Sequence, residues 1–297
     1  MTSPHDQNFM PFISQEYVEQ TYWRRQAAQG KLKTLRAIAG WSDICGFGDA
    51  LASSAWDLSK LNERGLFRSL SQAYMSLGRP LMPSMPSERV LVINDGIART
   101  VDLTGSEHIE QAQLLFYIRN LLIQHYMLEQ QLVNGGLGLR TVLAGGERCQ
   151  YSPTKFTGHL LLSHTNEPSE FGKRLLEQEF VYNPAEFQMN TAFALAYTLE
   201  EMGSSEGLIP NRAYFETRWL STLNDVIPGF CVLDGQTVHL LWHDEPGITI
   251  AFDDCRSVEA KGLVTSVYRV CEFIVHERFE GERTAFPMAA HDSRADA

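Results

Sequence analysis

The chain has 297 residues, 44% of them hydrophobic, which is enough for one full domain core with an appendage. Its formal net charge of -11, from 25 basic against 36 acidic side chains, opposes the counterion release that nucleic-acid binding depends on, so nucleic acid is excluded as the expected partner. An anionic ligand on so acidic a protein is expected to bring metal cations with it.

The first residues carry neither a basic start nor an apolar signal core, and no apolar run approaches the roughly 18 residues of a membrane span. With five scattered cysteines and no C-x-x-C pair, a reducing, cytoplasmic location is expected. Ile13, Tyr17, Val18, Thr21 and Tyr22 recur at helical spacing, which predicts an N-terminal helix over Ile13–Gln29, either packed on the domain or serving as a dimerising arm. A strand follows over Lys33–Ser42 and runs into the sharp turn Asp43-Ile-Cys-Gly-Phe-Gly48, and a helical stretch then continues to about Leu77.

Arg89–Ile93 and Ile97–Leu103 are β-branched runs meeting at Asn94-Asp95-Gly96, a strong hairpin signal that puts Asp95 at the tip. Ser106 is a natural cap for a long amphipathic helix ending near Val133. Leu137–Ala144 and Glu147–Tyr151 flank Gly145-Gly146 and read as a second hairpin; Asn190–Met202 reads as a helix. Short strands after Pro228, a helix near Val258–Val275 and a disordered tail complete the pattern. The expected fold is α+β, a βαββαβ sandwich. Its expected parts are a helical segment over 1–32, a main domain over 33–220, a β/α appendage over 221–279 and a tail over 280–297.

Asp43 at a strand end and Asp95 at a hairpin tip can meet at one sheet edge if the strands are neighbours, and could there hold two metal ions roughly 4 Å apart. Such a pair suits phosphoryl chemistry, in which cations neutralise a departing pyrophosphate. Gly46 and Gly48 place backbone N–H groups where phosphate oxygens could be met. No P-loop and no G-x-G-x-x-G run occurs, and the nine histidines show no metal-ligand spacing.

Trp41-Ser-Asp-Ile-Cys-Gly-Phe-Gly-Asp-Ala-Leu51 resembles the D-I-x-G-F-T signature of class III adenylyl and guanylyl cyclases, and Val90-Leu-Val-Ile-Asn-Asp-Gly-Ile97 resembles their second metal-aspartate strand. Gly138–Glu147 is similar to the family's R-G-G-I-x-x-G-E segment, and Met189–Glu200 to its ribose-contacting N-x-A helix. The resemblance implies a ferredoxin-like cyclase domain that binds Mn²⁺ or Mg²⁺ through Asp43, Ile44 and Asp95, with Phe47 and Gly48 in the phosphate loop and Asn190 on the ribose. It also implies a homodimer with composite sites.

Three departures stand out. Leu91 replaces the Lys that purine cyclases carry four residues before the second metal aspartate, Asn183 falls near the base-reading position, and Ala194 stands where the family places a transition-state Arg. With the Ala196-Tyr-Thr-Leu-Glu200 helix ending, these features look most like the bacterial pyrimidine cyclases of anti-phage signalling, which make cyclic UMP or cyclic CMP. UTP is favoured slightly over CTP as the implied substrate. Arg99 is the candidate base-reading cation, since a guanidinium can donate two hydrogen bonds to a pyrimidine carbonyl. Trp41 and Tyr197 are candidates for pocket contacts or core. The alternatives are a purine cyclase with an unusual base pocket and a degenerate, non-catalytic nucleotide-binding domain.

Overall fold

The computed structural model describes residues 29, 34–63, 65–78, 85, 87–103, 110–133, 136–149 and 185–288. The N-terminal helix expected over Ile13–Gln29 lies outside them apart from Gln29, and so do the Ser106 cap, Asn183 and the end of the tail beyond residue 288. The chain falls into two compact units, one of Met1–Leu35 with Arg148–Asn190 and one of Arg36–Glu147 with Thr191–Ala297. In the first, Arg148 bridges antiparallel to Asn190, and the Cys149 N–H donates to the Met189 carbonyl at 3.0 Å.

The second unit holds the main sheet. Strand β1 (Thr34–Cys45) leads through Gly46, at φ 90°, into helix α1 (Phe47–Ser53). The expected single helix to Leu77 is instead three, with α2 (Leu58–Glu63) and α3 (Leu66–Gly78) following. Ala55 (φ 53°), Trp56 (φ 62°) and Gly65 (φ 75°) take left-handed backbone, which no α-helix can pass through. Asp57 restarts the chain by accepting the Ser59 N–H at 2.9 Å, an N-cap.

Strands β2 (Arg89–Ile93) and β3 (Gly96–Asp102) form the expected hairpin, with Asn94 at φ 55° in its turn. Helix α4 (Gln111–Val133) follows, then β4 (Gly138–Cys149). The first four strands stand in the order β2-β3-β1-β4, the arrangement of a ferredoxin-like βαββαβ unit. The α+β class expected from the sequence is the one observed.

The hairpin expected at Gly145-Gly146 does not exist; β4 runs straight through both glycines, neither with positive φ. A Cβ at Gly145 would lie 2.2 Å from the Arg218 carbonyl oxygen, and one at Gly146 would lie 2.6 Å from Thr191 Oγ1. The pair is therefore a place where helices approach the strand closely from both sides rather than a turn. Those helices are α5 (Thr191–Met202) and α6 (Thr217–Val226), with β5 (Arg212–Glu216) between them pairing parallel to β4.

The remaining strands, β6 (Cys231–Asp234), β7 (Thr237–Trp242), β8 (Glu245–Ala260) and β9 (Leu263–Val275), join the same sheet through β5 and β9. The helix expected over Val258–Val275 is thus half of a long hairpin turning at Lys261-Gly262, both with positive φ (49° and 82°). Bulges cause the misreading: the pairing skips Asp253 and Cys271, and buried Val267, Val270 and Phe273 fall three apart, a spacing that imitates a helix. After the short helix α7 (Glu277–Glu280), β10 (Thr284–Pro287) pairs with β9 in a stretch expected to be disordered.

One core joins α4 and α6 to the sheet through Leu114, Ile118, Leu122, Phe215, Trp219, Ile250 and Phe273, and a second gathers Ile44, Phe47, Leu61, Leu66, Leu70 and Leu139. Among the described residues, no helix is long and apolar enough to cross a membrane.

Candidate active site

Alternation along β1 separates two faces. Ser42 Oγ meets Thr141 Oγ1 at 2.8 Å, and Thr141 Oγ1 meets His125 Nδ1 of α4 at 2.9 Å, so Ser42 and Thr141 point to the α4 side. Their chain neighbours Trp41, Asp43 and Arg140 therefore face the other side, along which α5 runs. There the Trp41 indole sits edge-on to Tyr197, centroids 5.1 Å apart, and 6.1 Å from Phe193.

The β1–β3 register sets Asp43 opposite Gly96, and the Ile44 N–H donates to the Asp95 carbonyl at 3.1 Å. Asp43 and Asp95 thus end up side by side at one end of the sheet. Gly96 is obligatory here, because a Cβ would lie 2.2 Å from Trp41 Cζ2. The turn is held from outside by the Tyr74 hydroxyl, which donates to the Asn94 carbonyl, and from within by Asn94 Nδ2 on Asp95 Oδ1 at 3.1 Å.

Two further charged groups complete the cluster. Arg140 Nε donates to Glu200 Oε1 at 2.8 Å, Nη2 reaches the same oxygen, and Nη1 donates to the Leu208 carbonyl at 3.0 Å. Burial, then the charges of Glu200 and Asp95, push the Asp43 carboxyl up from 3.8 to about 7, with Arg140 pulling the other way. Burial also raises Glu200, opposed chiefly by Arg140; the Trp41 indole N–H leans toward Glu200 and lowers it a little without closing a hydrogen bond of normal geometry. Burial pushes the Cys45 thiol up to about 11, so it is no ready nucleophile at neutral pH.

The Asp43 carboxylate accepts no hydrogen bond from the described residues, and three carboxylates face a single guanidinium. That excess of half-buried negative charge suits a hard divalent cation such as Mg²⁺ or Mn²⁺, and Asp43 and Asp95 are the carboxylates that could hold one. No group of three or more His, Cys, Asp or Glu side chains arranged to hold a metal ion occurs among the described residues, so the protein would supply part of the coordination only.

Of the other sequence candidates, Ile44 sits between the two aspartates with its side chain in the core. The Phe47 ring is buried too, which leaves only its backbone for a phosphate, and Gly48 is exposed in the first turn of α1. Arg99 is a correction: opposite Gly40, it points to the α4 side, where Glu88 (2.9 Å) and Gln124 (2.8 Å) hold its buried guanidinium, so it cannot read a base beside Asp43. Asn190 belongs to the other unit and donates through Nδ2 to the Glu186 carbonyl at 3.0 Å. Ala194 is exposed, and Leu91, opposite Ala98, lies on the Asp43 face.

Glu200 and Arg140 were not singled out from the sequence as site residues. The available signal was a charge embedded in an apolar run, Arg140 between Leu139 and Val142-Leu143, and Glu200 one position after buried Leu199.

The hydroxyl chain behind Asp43 gives a limited prediction. Ser42→Ala removes the bond to Thr141 but leaves Thr141 on His125, so unfolding in urea should show a loss of about 1 kcal/mol with turnover unchanged.

No family model matches the chain, and no curated protein matches it. Among solved structures the chain is similar to the guanylyl cyclase Cya2 (11% identity, TM-score 0.39, covering 81% of this chain and 93% of that one). It is also similar to the guanylate cyclase domain of RhGC from Catenaria anguillulae in complex with GTP (12% identity, TM-score 0.42, covering 80% and 97%). A bacterial light-regulated adenylyl cyclase matches at 12% identity and TM-score 0.40, covering 90% of this chain and 64% of that one.

Proposed function

We propose that the protein is a nucleotidyl cyclase of the class III type, a lyase that closes a nucleoside triphosphate into a 3′,5′-cyclic nucleotide and pyrophosphate. The observation that carries the proposal is the meeting of Asp43 and Asp95, which the β1–β3 register and the Ile44-to-Asp95 bond bring together beside Glu200 and Arg140. Asp43 and Asp95, with the Ile44 backbone between them, would hold Mn²⁺ or Mg²⁺. Bound there, such cations would activate the attacking ribose hydroxyl and neutralise the leaving pyrophosphate.

The chain's own groups do the rest. Trp41 fixes the strand pair through its contact over Gly96, the turn at Gly46 to Gly48 offers backbone N–H groups to phosphate, and Asn190 is the proposed ribose contact. The catalytic part is proposed to lie within 33–220 and to work as a homodimer.

A pyrimidine substrate, UTP ahead of CTP, is the finer proposal, with a second messenger of anti-phage defence as its product. Leu91 supports it: an apolar side chain stands on the Asp43 face where purine cyclases carry a Lys. Incubating the purified protein with each of the four nucleoside triphosphates and Mn²⁺, and identifying the cyclic product by mass, tests it directly. Cyclic UMP or cyclic CMP is expected; cyclic AMP or cyclic GMP would establish the purine alternative. Ala194, exposed where the transition-state Arg would stand, favours the non-catalytic reading, and silence with all four substrates would establish that one.

A further inference from the structure

The Arg140–Glu200 pair lies immediately beside the two aspartates, and the proposed function leaves its role open. Arg140 is on β4, the hydrogen-bonded neighbour of β1, and faces the same side as Asp43. Left alone, a guanidinium in that position would form a charge-assisted bond to the other carboxylate whose charge acts on it, Asp43. It does not. Nε and Nη2 are both committed to Glu200 Oε1, Nη1 is committed to the Leu208 carbonyl, and the turn after α5 closes over the group, with a Cβ at Gly203 falling 3.3 Å from Nη2.

We infer that Glu200 is a standing counter-ion whose task is to keep Arg140 off Asp43, so that Asp43 and Asp95 stay available to a divalent cation. The inference rests on the proposal that those aspartates bind metal, and it makes Glu200 a positioning residue acting through Arg140. Neutralising Glu200 frees a positive charge beside the site, which repels a dication and pairs with Asp43 in its stead. Neutralising Arg140 has the opposite sign, since it leaves one more carboxylate facing the cation. A purely structural ion pair would behave differently, because breaking it from either end would loosen α5 and β4 and harm the site equally.

The test is Mn²⁺ binding to the purified full-length protein without nucleotide, read by electron paramagnetic resonance of the free ion and by calorimetry. Glu200→Gln is expected to weaken binding by about tenfold, Arg140→Gln to leave it equal or tighter, and the double variant to return within about threefold of the wild type, since charge at this range in a half-buried site acts with an intermediate dielectric. If Glu200→Gln does not fold, the comparison of Arg140→Gln with wild type still decides, because weaker binding in Arg140→Gln overturns the inference. Equal weakening by both single changes with no recovery in the double variant also overturns it. Should the wild type bind no Mn²⁺, or bind it as tightly after Asp43→Asn, the metal reading itself fails and takes the inference with it; wild-type binding that depends on Asp43 but is indifferent to Glu200 sinks the inference alone.

Discussion

Asp43→Asn is expected to remove cyclase turnover, on the order of 10³-fold or more, while making the metal-free protein more stable at pH 8. The two effects share one cause. Asp43 is a half-buried carboxyl without a hydrogen-bond donor among the described residues, crowded by Glu200 and Asp95, and its pKa stands at about 7 instead of 3.8. The folded state binds that proton more tightly than the unfolded chain does. The stabilisation this group gives is therefore fully present below pH 3.8 and lost as the pH climbs through about 7. At about 1.4 kcal/mol per tenfold change in proton affinity the charged form would cost up to about 4 kcal/mol, and solvent screening at a partly exposed site brings this to about 1–2 kcal/mol.

Asparagine keeps the shape and discards the charge, so the variant should melt about 2–6 °C above the wild type at pH 8 and close to it at pH 5. Glu129, which burial also raises to about 7, and His125, which burial lowers to about 3, tilt the pH dependence of both proteins alike and cancel in the difference. Added Mn²⁺ should reverse the ranking by stabilising only the wild type. A variant that melts below the wild type at pH 8, or that keeps its turnover, would show that Asp43 is an ordinary structural carboxylate.

What the sequence revealed of this site, and what it hid, follows the range of the forces involved. Asn94-Asp95-Gly96 announced its hairpin because the turn needs left-handed backbone, which Asn94 adopts at φ 55°, and Asp43 was legible because it lies near the end of an apolar strand. The partner of Asp43 depends on register, which two local signals could only suggest. Arg99 and Arg140 show the limit: both are cations set among apolar strand residues, and only the pairing of Gly40 with Arg99 and the contact of Ser42 with Thr141 reveal that the first faces α4 and the second faces the aspartates. One residue of register exchanges their roles. Glu200 was hidden for the same reason, since it meets Arg140 across 60 positions of chain.

The glycine pair in β4 carries the same lesson and the second large effect. In a hairpin tip, Gly145→Ala would meet solvent; in this structure its methyl would meet the Arg218 carbonyl oxygen at 2.2 Å and Thr222 Oγ1 at 2.5 Å. Backbone cannot move aside as a side chain can, so α6 would have to lift from the sheet and break its contacts in the main core, where Trp219 stacks on Phe215 with centroids 4.4 Å apart. A loss of about 3 kcal/mol is expected in urea unfolding, and less than 1 kcal/mol would return Gly145 to a turn. Gly146→Ala presses the other way, against Thr191 Oγ1 at 2.6 Å and the Ala192 nitrogen at 3.0 Å, at the start of the helix that carries Tyr197 and Glu200. Well below the melting temperature, Gly145→Ala should therefore keep its turnover while Gly146→Ala loses it, because the two glycines are one residue apart in sequence and on opposite faces of the sheet.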